Sequence, residues 1–380
     1  MVSIQHAIGA VVLVLAGVGA LYAIASAEVL RRKLASRETG PTTDTPASLL
    51  KPLYGPEPGL EGSLSGFAQQ NYAAPFQVVL GLQDSADPAM AVAEGVRSAH
   101  PETDIEVVVD ERVYGPNRKV SNLINMAARA RHDLLVLSDA DIAVKPDYLR
   151  HPAQAASEPG VGAVTCLYFG QGRAGVWSQL AAMGISYGFL PNVALGSAIG
   201  AAQPCMGSTI ALRRGVLDEI GGFESLIEVL ADDYELGREV REKGYRIAIP
   251  SFVVEHGCDE ASLKALFDHE LRWAVTVRIL SPGGHFGSVV THPLPLALIG
   301  AVLVGVSPWS LGVLALAIVS RYWLMSRVDR AVGVSSGPWQ LLPVRDMLSF
   351  GVFLASLTAR KVRWKGERHR ITSKRTLSPA

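Results

Sequence analysis

Leu134-Leu135-Val136-Leu137-Ser138-Asp139-Ala140-Asp141 runs from an apolar tetrad straight into two carboxylates. Four consecutive aliphatic side chains read as a strand buried on both faces, as in the middle of a parallel sheet. If the chain stays extended, alternate side chains share a face, so Asp139 and Asp141 are expected to converge. Two carboxylates at a strand end suit a hard divalent cation that also binds a diphosphate. They equally suit a solvated turn, and the pair alone does not separate the two readings.

Outward from this point, Phe76-Gln77-Val78-Val79-Leu80 and Ile105-Glu106-Val107-Val108-Val109 read as further strands, with helical patterns over residues 89–100 and 119–131. Strands alternating with amphipathic helices predict an α/β domain with a parallel, Rossmann-like sheet. Ligands of such sheets sit beyond the C-terminal strand ends, so the residues just past each run are the candidates. Asp84, in Gln83-Asp84-Ser85, reads as an acceptor for a nucleotide base or ribose, or as a turn residue before Pro88. Lys119, in Asn117-Arg118-Lys119, stands at a helix start, where a cation can meet a phosphate or simply be solvated.

Asp232-Asp233 opens a helix over residues 234–243 that Gly244 ends. The plain reading is capping; the sharper one makes Asp233 a general base. A helix N-terminus lowers a carboxyl pKa and an adjacent like charge raises it, and the sequence leaves that balance open. In His269-Glu270-Leu271-Arg272-Trp273, the arginine offers a planar fork for phosphate and the tryptophan a stacking face. The same composition also suits an anchor at a membrane interface.

The chain has 380 residues, 49% hydrophobic and 18% charged, with 35 basic side chains against 35 acidic. Charged residues usually make up about 25% of a soluble domain. Such apolarity excludes disorder for most of the chain, and the lack of a basic excess argues against a nucleic-acid partner. Cys166, Cys205 and Cys258 are too scattered for a disulfide framework or a structural zinc site.

The apolar residues are concentrated in blocks. Residues 4–30 carry only Glu28, then Arg31, Arg32 and Lys33 follow. That block is long enough to cross a bilayer, and the charge bias predicts a retained anchor with later residues in the cytoplasm. Ala25-Ser26-Ala27 also has the small-residue pattern of a cleavage site. Residues 279–320 are uncharged and split by Pro308, and residues 347–359 form a third apolar stretch. From residue 360 onward there are eight basic side chains and one acidic, so the tail is expected on the cytoplasmic side. Crossings between the central domain and the tail are then even in number. Residues 174–212 carry no charge either, and read as a buried core element or as a surface that dips into the bilayer to admit a lipid. The expected organisation is a transmembrane anchor (1–30), a linker (31–48), a catalytic domain (49–290), a membrane region (291–359) and a basic tail (360–380).

Taken in order, Gln83-Asp84, Asp139-Ala140-Asp141, Ala231-Asp232-Asp233-Tyr234 and His269-Glu270-Leu271-Arg272-Trp273 resemble the motifs of the membrane-bound, ceramide glucosyltransferase-like glycosyltransferases, whose last motif is (Q/R)xxRW. Lys51-Pro52-Leu53-Tyr54-Gly55 and Asn117-Arg118-Lys119-Val120-Ser121-Asn122-Leu123 match as well, and the likeness covers about residues 50–290. Thr165-Cys166-Leu167-Tyr168, Val290-Thr291-His292-Pro293-Leu294-Pro295-Leu296 and Val344-Arg345-Asp346-Met347-Leu348-Ser349-Phe350 carry a nearer likeness to the bacterial hopanoid-biosynthesis glycosyltransferases.

The resemblance implies a GT-A fold and an inverting transfer of N-acetylglucosamine from UDP-N-acetylglucosamine to bacteriohopanetetrol at the bacterial inner membrane. It implies that Asp84 contacts uridine, and that Asp139 and Asp141 hold a divalent metal (Mg or Mn) with the donor diphosphate. It makes Asp233 the base, with Arg272 and Trp273 closing over the diphosphate and Lys119 assisting. Position 269 departs from the pattern, with His where Gln or Arg is typical. Two alternatives stand beside this: a ceramide glucosyltransferase, and a non-catalytic membrane scaffold.

Overall fold

A computed structural model describes residues 4–36 and 44–359, and as backbone three short tail strands (Lys361–Trp364, Glu367–Ile371, Leu377–Pro379). The side chains of the basic tail and residues 37–43 of the expected linker lie outside the described residues.

The chain opens with α1 (Ile4–Ala35), which runs past the expected anchor boundary at residue 30. Strand β1 (Ala47–Pro52) begins inside the stretch read as linker. Its apolar signal is interrupted by Ser48 and Lys51, yet both are fully buried and bonded: Ser48 Oγ donates to Gln77 Oε1 at 3.1 Å, and Lys51 Nζ donates to Ile142 O at 3.3 Å. Next come α2 (Leu60–Ala68), β2 (Phe76–Leu82), α3 (Ala89–Ala99), β3 (Asp104–Val109), α4 (Arg118–Ala127), β4 (Leu134–Leu137), β5 (Ile142–Ala143), α5 (Arg150–Ala156), β6 (Val161–Thr165) and β7 (Leu167–Gly172). After α6 (Val176–Gly184), a π-helical turn (Ile185–Phe189) and α7 (Leu190–Ala198), the chain returns as β8 (Ile210–Arg213), α8 (Arg214–Glu219), α9 (Asp232–Glu242), β9 (Arg246–Ala248) and β10 (Val253–Cys258). It ends with α10 (Leu263–Leu280), α11 (Pro282–Gly287), α12 (Pro293–Val304), α13 (Pro308–Val332) and α14 (Leu342–Thr358).

Seven strands form the main sheet in the order β3-β2-β1-β4-β8-β6-β9. Alternation sorts its two faces: Leu49 packs with Phe67, Leu80, Val136 and Tyr148, whereas Leu50 packs with Val79, Leu123, Leu135 and Leu212 on the other side. The sheet is parallel except at β8, which runs antiparallel to both β4 and β6. The reason is the excursion before it. The chain leaves the top of β6, passes through α6 and α7, and re-enters from the same end without a crossover to the bottom. The strand order reverses between β1 and β4, which places the ligand crevice above them. A second sheet, β5-β10-β7, lies beside that crevice.

Residues 176–198 of the uncharged stretch 174–212 form α6, the π turn and α7, and its last three residues belong to β8. The helical part packs Met183, Tyr187 and Leu190 in a cluster with Ala27 and Leu30 of α1 and Leu324 of α13. Among the described residues three helices are long and apolar enough to cross a membrane (Ile4–Ala35, Pro308–Val332, Trp339–Thr358), and Pro282–Thr291 with Pro293–Val304 make a pair bent by 70°.

Candidate active site

The acidic motifs meet above β4. Asp139 leaves β4, Lys119 stands on the first turn of α4, and Asp232 and Asp233 open α9. Asn117 sets the position of Lys119: its side chain caps α4 by accepting from Val120 N at 3.1 Å and donates to Val229 O at 2.9 Å. Lys119 Nζ then lies 2.7 Å from Asp139 Oδ1 and 3.3 Å from Asp232 Oδ2. Burial opposes its charge, but Asp139, Asp232 and Asp233 together raise its pKa well above the usual lysine value.

Asp233 is held by backbone amides. Gly207 N donates to Oδ2 at 3.0 Å and Tyr234 N to Oδ1 at 2.7 Å. The balance left open by the sequence is settled by desolvation: burial and then Asp232 push Asp233 up to about 6, against Lys119 and the Tyr234 amide. Asp232 is engaged with Lys119 and Asn117, so the neighbours in sequence face different partners. Gly207 has no room for a side chain, since a Cβ there would come within 2.7 Å of Asp139 Oδ2 and 3.3 Å of Lys119 Nζ.

Asp139 and Asp141 do not sit on an extended segment as expected. The chain turns, with Ile142 N donating to Asp139 O at 3.2 Å. Lys51, buried under this turn with its ammonium 4.0 Å from the Phe67 ring centre, also donates to the Asp139 carbonyl. The carboxylates therefore take separate partners: Asp139 takes Lys119, and Asp141 lies 3.3 Å from His256 Nε2 on β10. Burial opposes ionisation of Asp141, but His256 and Lys51 hold its carboxyl at about 2. Burial raises Asp139, reinforced by Asp141 and opposed by Lys119.

A metal at this place would need an open coordination position. Asp141 Oδ1 supplies one, because it is buried and accepts no hydrogen bond. Among the described residues no group of three or more His, Cys, Asp or Glu side chains gathers around it. The remaining ligands would then be Asp139, diphosphate oxygens and water, a set that fits Mg or Mn.

Arg272 projects from α10 toward the cluster. Among the described residues its guanidinium has no hydrogen bond or ion pair, while Asp233 and Asp139 attract it through space. Burial lowers its pKa from the usual arginine value. A desolvated, unpaired guanidinium is what an incoming diphosphate requires. Trp273 turns toward the second sheet, with its ring centre 6.3 Å from His256 and 4.2 Å from His269. The unusual His269 is accounted for by Glu260, 2.7 Å from its Nδ1. Asp84 is exposed at the end of β2 and accepts from Ala86 N at 2.8 Å, on the far side of β1 from Asp139.

Sequence reasoning missed His256, the carboxylate partner, and gave Lys51 no role. A lone histidine in Val253-Val254-Glu255-His256 carries no spacing signal; only the pairing of β10 with β5 and β7 brings it to Asp141. Glu57, also missed, is half-buried nearby with its Oε2 enclosed and unpaired, and desolvation followed by Asp141 raises it to about 7.

A GT-A fold with converging acids and a free arginine at the strand ends, abutting apolar helices, defines a membrane-associated hexosyltransferase. The model of glycosyl transferase family 21 matches residues 11–377, and the chain belongs to that family. The scaffold alternative is thereby set aside. Ceramide glucosyltransferase 1 of Caenorhabditis elegans is 22% identical over 338 residues, 86% of this chain and 71% of its own length. Ceramide glucosyltransferase 3 of the same organism is 26% identical over 241 residues, 61% of this chain and 50% of its own. The mannosyltransferase PcManGT of Pyrobaculum calidifontis, solved with GDP-Man and Mn2+, shares the fold, with a TM-score of 0.53, 20% identity, 93% of this chain and 99% of its own covered.

Proposed function

We propose that this enzyme transfers a sugar, N-acetylglucosamine by its nearer resemblance, from a UDP-sugar to a hydroxyl of a membrane lipid, with inversion. The observation that carries this is the meeting of a backbone-held Asp233, raised to about 6, with the unpaired guanidinium of Arg272 above β4. One group takes a proton and the other receives a leaving diphosphate. The acceptor is bacteriohopanetetrol on the nearer resemblance. The names of the C. elegans relatives support ceramide and glucose as the second reading.

In this mechanism Asp233 accepts the proton of the attacking lipid hydroxyl, with the Gly207 and Tyr234 amides fixing its orientation. Such help typically contributes about 10²–10⁴-fold. Arg272 binds the diphosphate as negative charge grows on it, in a site where burial strengthens the interaction. Lys119 stays protonated and screens Asp139 from Asp233 and Asp232. A divalent metal held by Asp139 and Asp141 would add Lewis-acid stabilisation to that diphosphate. Trp273, packed on His256 and His269, closes the α10 side against water. Asp84 is the proposed uridine contact.

The catalytic domain is proposed to face the bacterial cytoplasm. Exposed large apolar side chains run along α1 from Ile4 to Leu21 and along α13 from Trp309 to Trp323, a band of about 21–26 Å at 1.5 Å per residue. Helices α12 and α13, joined through Gly305, would cross as a hairpin. Although α14 is apolar enough to span, it is tied to α10, the helix that carries Arg272, through Arg345 and Glu270 at 2.6 Å. It would therefore lie along the domain, which leaves the even number of crossings that a cytoplasmic tail requires.

The test is turnover by purified membranes offered a panel of UDP-sugars with bacteriohopanetetrol or ceramide, with and without EDTA. UDP release that needs a lipid hydroxyl, stops on chelation and returns with Mg2+ or Mn2+ is expected. Turnover indifferent to chelation sinks the metal role, and release indifferent to every lipid sinks the acceptor role.

A further inference from the structure

A row of aromatic rings runs along the reaction centre from β7 to α10. Tyr168 stacks on His256 at 5.5 Å between ring centres, His256 meets Trp273 at 6.3 Å, and Trp273 meets His269 at 4.2 Å. Tyr168, the first of the row, neither moves a proton nor holds the diphosphate in the mechanism above. Its direction follows from the second sheet. Tyr168 pairs in parallel register with Val254, and alternate residues of a strand share a face. Tyr168 therefore projects to the same side as His256, two residues past Val254, and that is the side on which His256 meets Asp141. Phe189 packs on the Tyr168 ring as well, at 4.9 Å. Held between two rings, the side chain has little freedom to turn.

The hydroxyl at its tip is unengaged. Among the described residues it has no hydrogen-bond partner, yet it is not an enclosed orphan, because the side chain is partly exposed and the oxygen stays accessible. Burial, followed by Asp233, Asp141 and Asp139 in that order, raises the phenol above its usual pKa. The group is thus a neutral donor and acceptor, and the base and both carboxylates of the diphosphate side all lie close enough to act on it.

That location is where a hexose must sit. In-line displacement sets the anomeric carbon between the attacking hydroxyl, at Asp233, and the departing diphosphate, at Asp139, Asp141 and Arg272. The sugar ring then lies between those two, in reach of a group that borders both. Asp139, Asp233, Lys119 and Arg272 meet charge or a reacting proton there, whereas a sugar ring presents neutral hydroxyls. A neutral, immobilised phenol matches them at little entropic cost.

Resting on the reading of the enzyme as a UDP-sugar-dependent transferase, we propose that the Tyr168 hydroxyl hydrogen-bonds a ring hydroxyl of the transferred hexose and so helps to select the donor sugar. The contact is to the sugar, not to UDP and not to the lipid. A site built to bond a substrate hydroxyl discriminates against the analogue that lacks it.

The experiment uses the full-length protein in detergent with Mg2+ or Mn2+. Tyr168→Phe keeps the ring and its stack on His256 and removes only the hydroxyl. Calorimetry without lipid compares UDP-N-acetylglucosamine, UDP-glucose and UDP. Affinity for the UDP-sugar that the wild type prefers should fall about three- to tenfold in the variant, the scale of one neutral hydrogen bond, with affinity for UDP and the melting temperature unchanged. UDP-deoxyglucoses, each lacking one hydroxyl, locate the partner. One of them should bind the wild type more weakly than UDP-glucose does, and bind Tyr168→Phe as well as UDP-glucose does. In turnover the Michaelis constant for the lipid should not move. Equal UDP-sugar affinity in wild type and variant, an equal loss for UDP, a deoxy panel ranked alike by both proteins, or an effect confined to the lipid constant overturns the proposal. UDP-sugar binding that depends on Tyr168 in a protein that transfers nothing to any lipid leaves the contact standing and refutes the transferase reading instead.

Discussion

Two groups of buried charges lie on opposite sides of α10, and they are finished to different degrees. On the membrane side, Arg345 binds both oxygens of Glu270 at 2.6 and 2.7 Å, the Leu180 carbonyl at 3.0 Å and Ser349 at 2.8 Å, while Arg321 binds both oxygens of Asp346. Every charge there is answered within the protein. On the sheet side, Arg272 has no ion pair among the described residues, Asp141 Oδ1 accepts nothing and Asp233 is raised to about 6. Completed pairs clamp the last helices to the catalytic domain. Incomplete ones hold capacity for a substrate, and the same burial that is tolerated on one side becomes reactivity on the other.

The contrast breaks most sharply at Asp233. Asp233→Asn keeps the size of the side chain and removes the base, so UDP release should fall by about 10²–10⁴-fold with the amount of protein in the membrane unchanged. A residual rate near wild type removes Asp233 from the chemistry. On the completed side the effect should be on stability. Arg345→Met leaves Glu270 buried and uncompensated, at a cost of about 3–5 kcal/mol, and Arg345→Met with Glu270→Leu should recover most of it. Melting curves in detergent decide this, and a double variant no more stable than the single one refutes the clamp. Arg272→Lys is smaller still. It keeps a charge but loses the fork, and an interaction of about 1.5–3 kcal/mol predicts a loss of roughly 10–150-fold in kcat/KM with normal melting.

The incomplete side was the more legible in sequence, for a physical reason. Asp139, Asp141 and Asp233 stand just past a strand or on a helix start, positions that follow from local periodicity, and Arg272, in the middle of α10, is marked by the Arg-Trp pair it forms with Trp273. Strands β2, β3 and β4 were readable for the same reason, since their side chains are apolar. Strand β1 was hidden because Ser48 and Lys51 are buried polar groups, and their partners Gln77 and Ile142 are remote in sequence. His256 was hidden likewise, for its role depends on the register of β10 against β5. Antiparallel β8 follows from where the chain re-enters the sheet, and no local pattern encodes that. Arg345 and Asp346 were noticed only as part of a resemblance; their pairing with Glu270 and Arg321 is a tertiary fact.

The smallest predicted effect is the dependence on pH, and it separates activity from stability. In the proposed mechanism Asp233 works as a carboxylate, and its pKa is raised from 3.8 to about 6. The rate should therefore fall as pH drops through about 6, reaching half its plateau near that value, and the limb should vanish from the residual rate of Asp233→Asn. The stability term has the opposite sign. A carboxyl that binds its proton more tightly when folded favours the folded state as it is protonated, so between about pH 6 and 4 Asp233 should add stability while activity is lost. Asp141 does not cancel this in that window. Its carboxyl is held at about 2, so the stability it contributes is complete above its unfolded value of 3.8 and is lost only as pH falls from there toward 2. Activity and melting temperature measured together across pH 7 to 4.5 should diverge in wild type, with less gain in melting temperature on acidification of Asp233→Asn. A parallel fall of both in the wild type would mean that the acidic limb reports unfolding, and the difference drawn between the two sides of α10 would lose its titrating half.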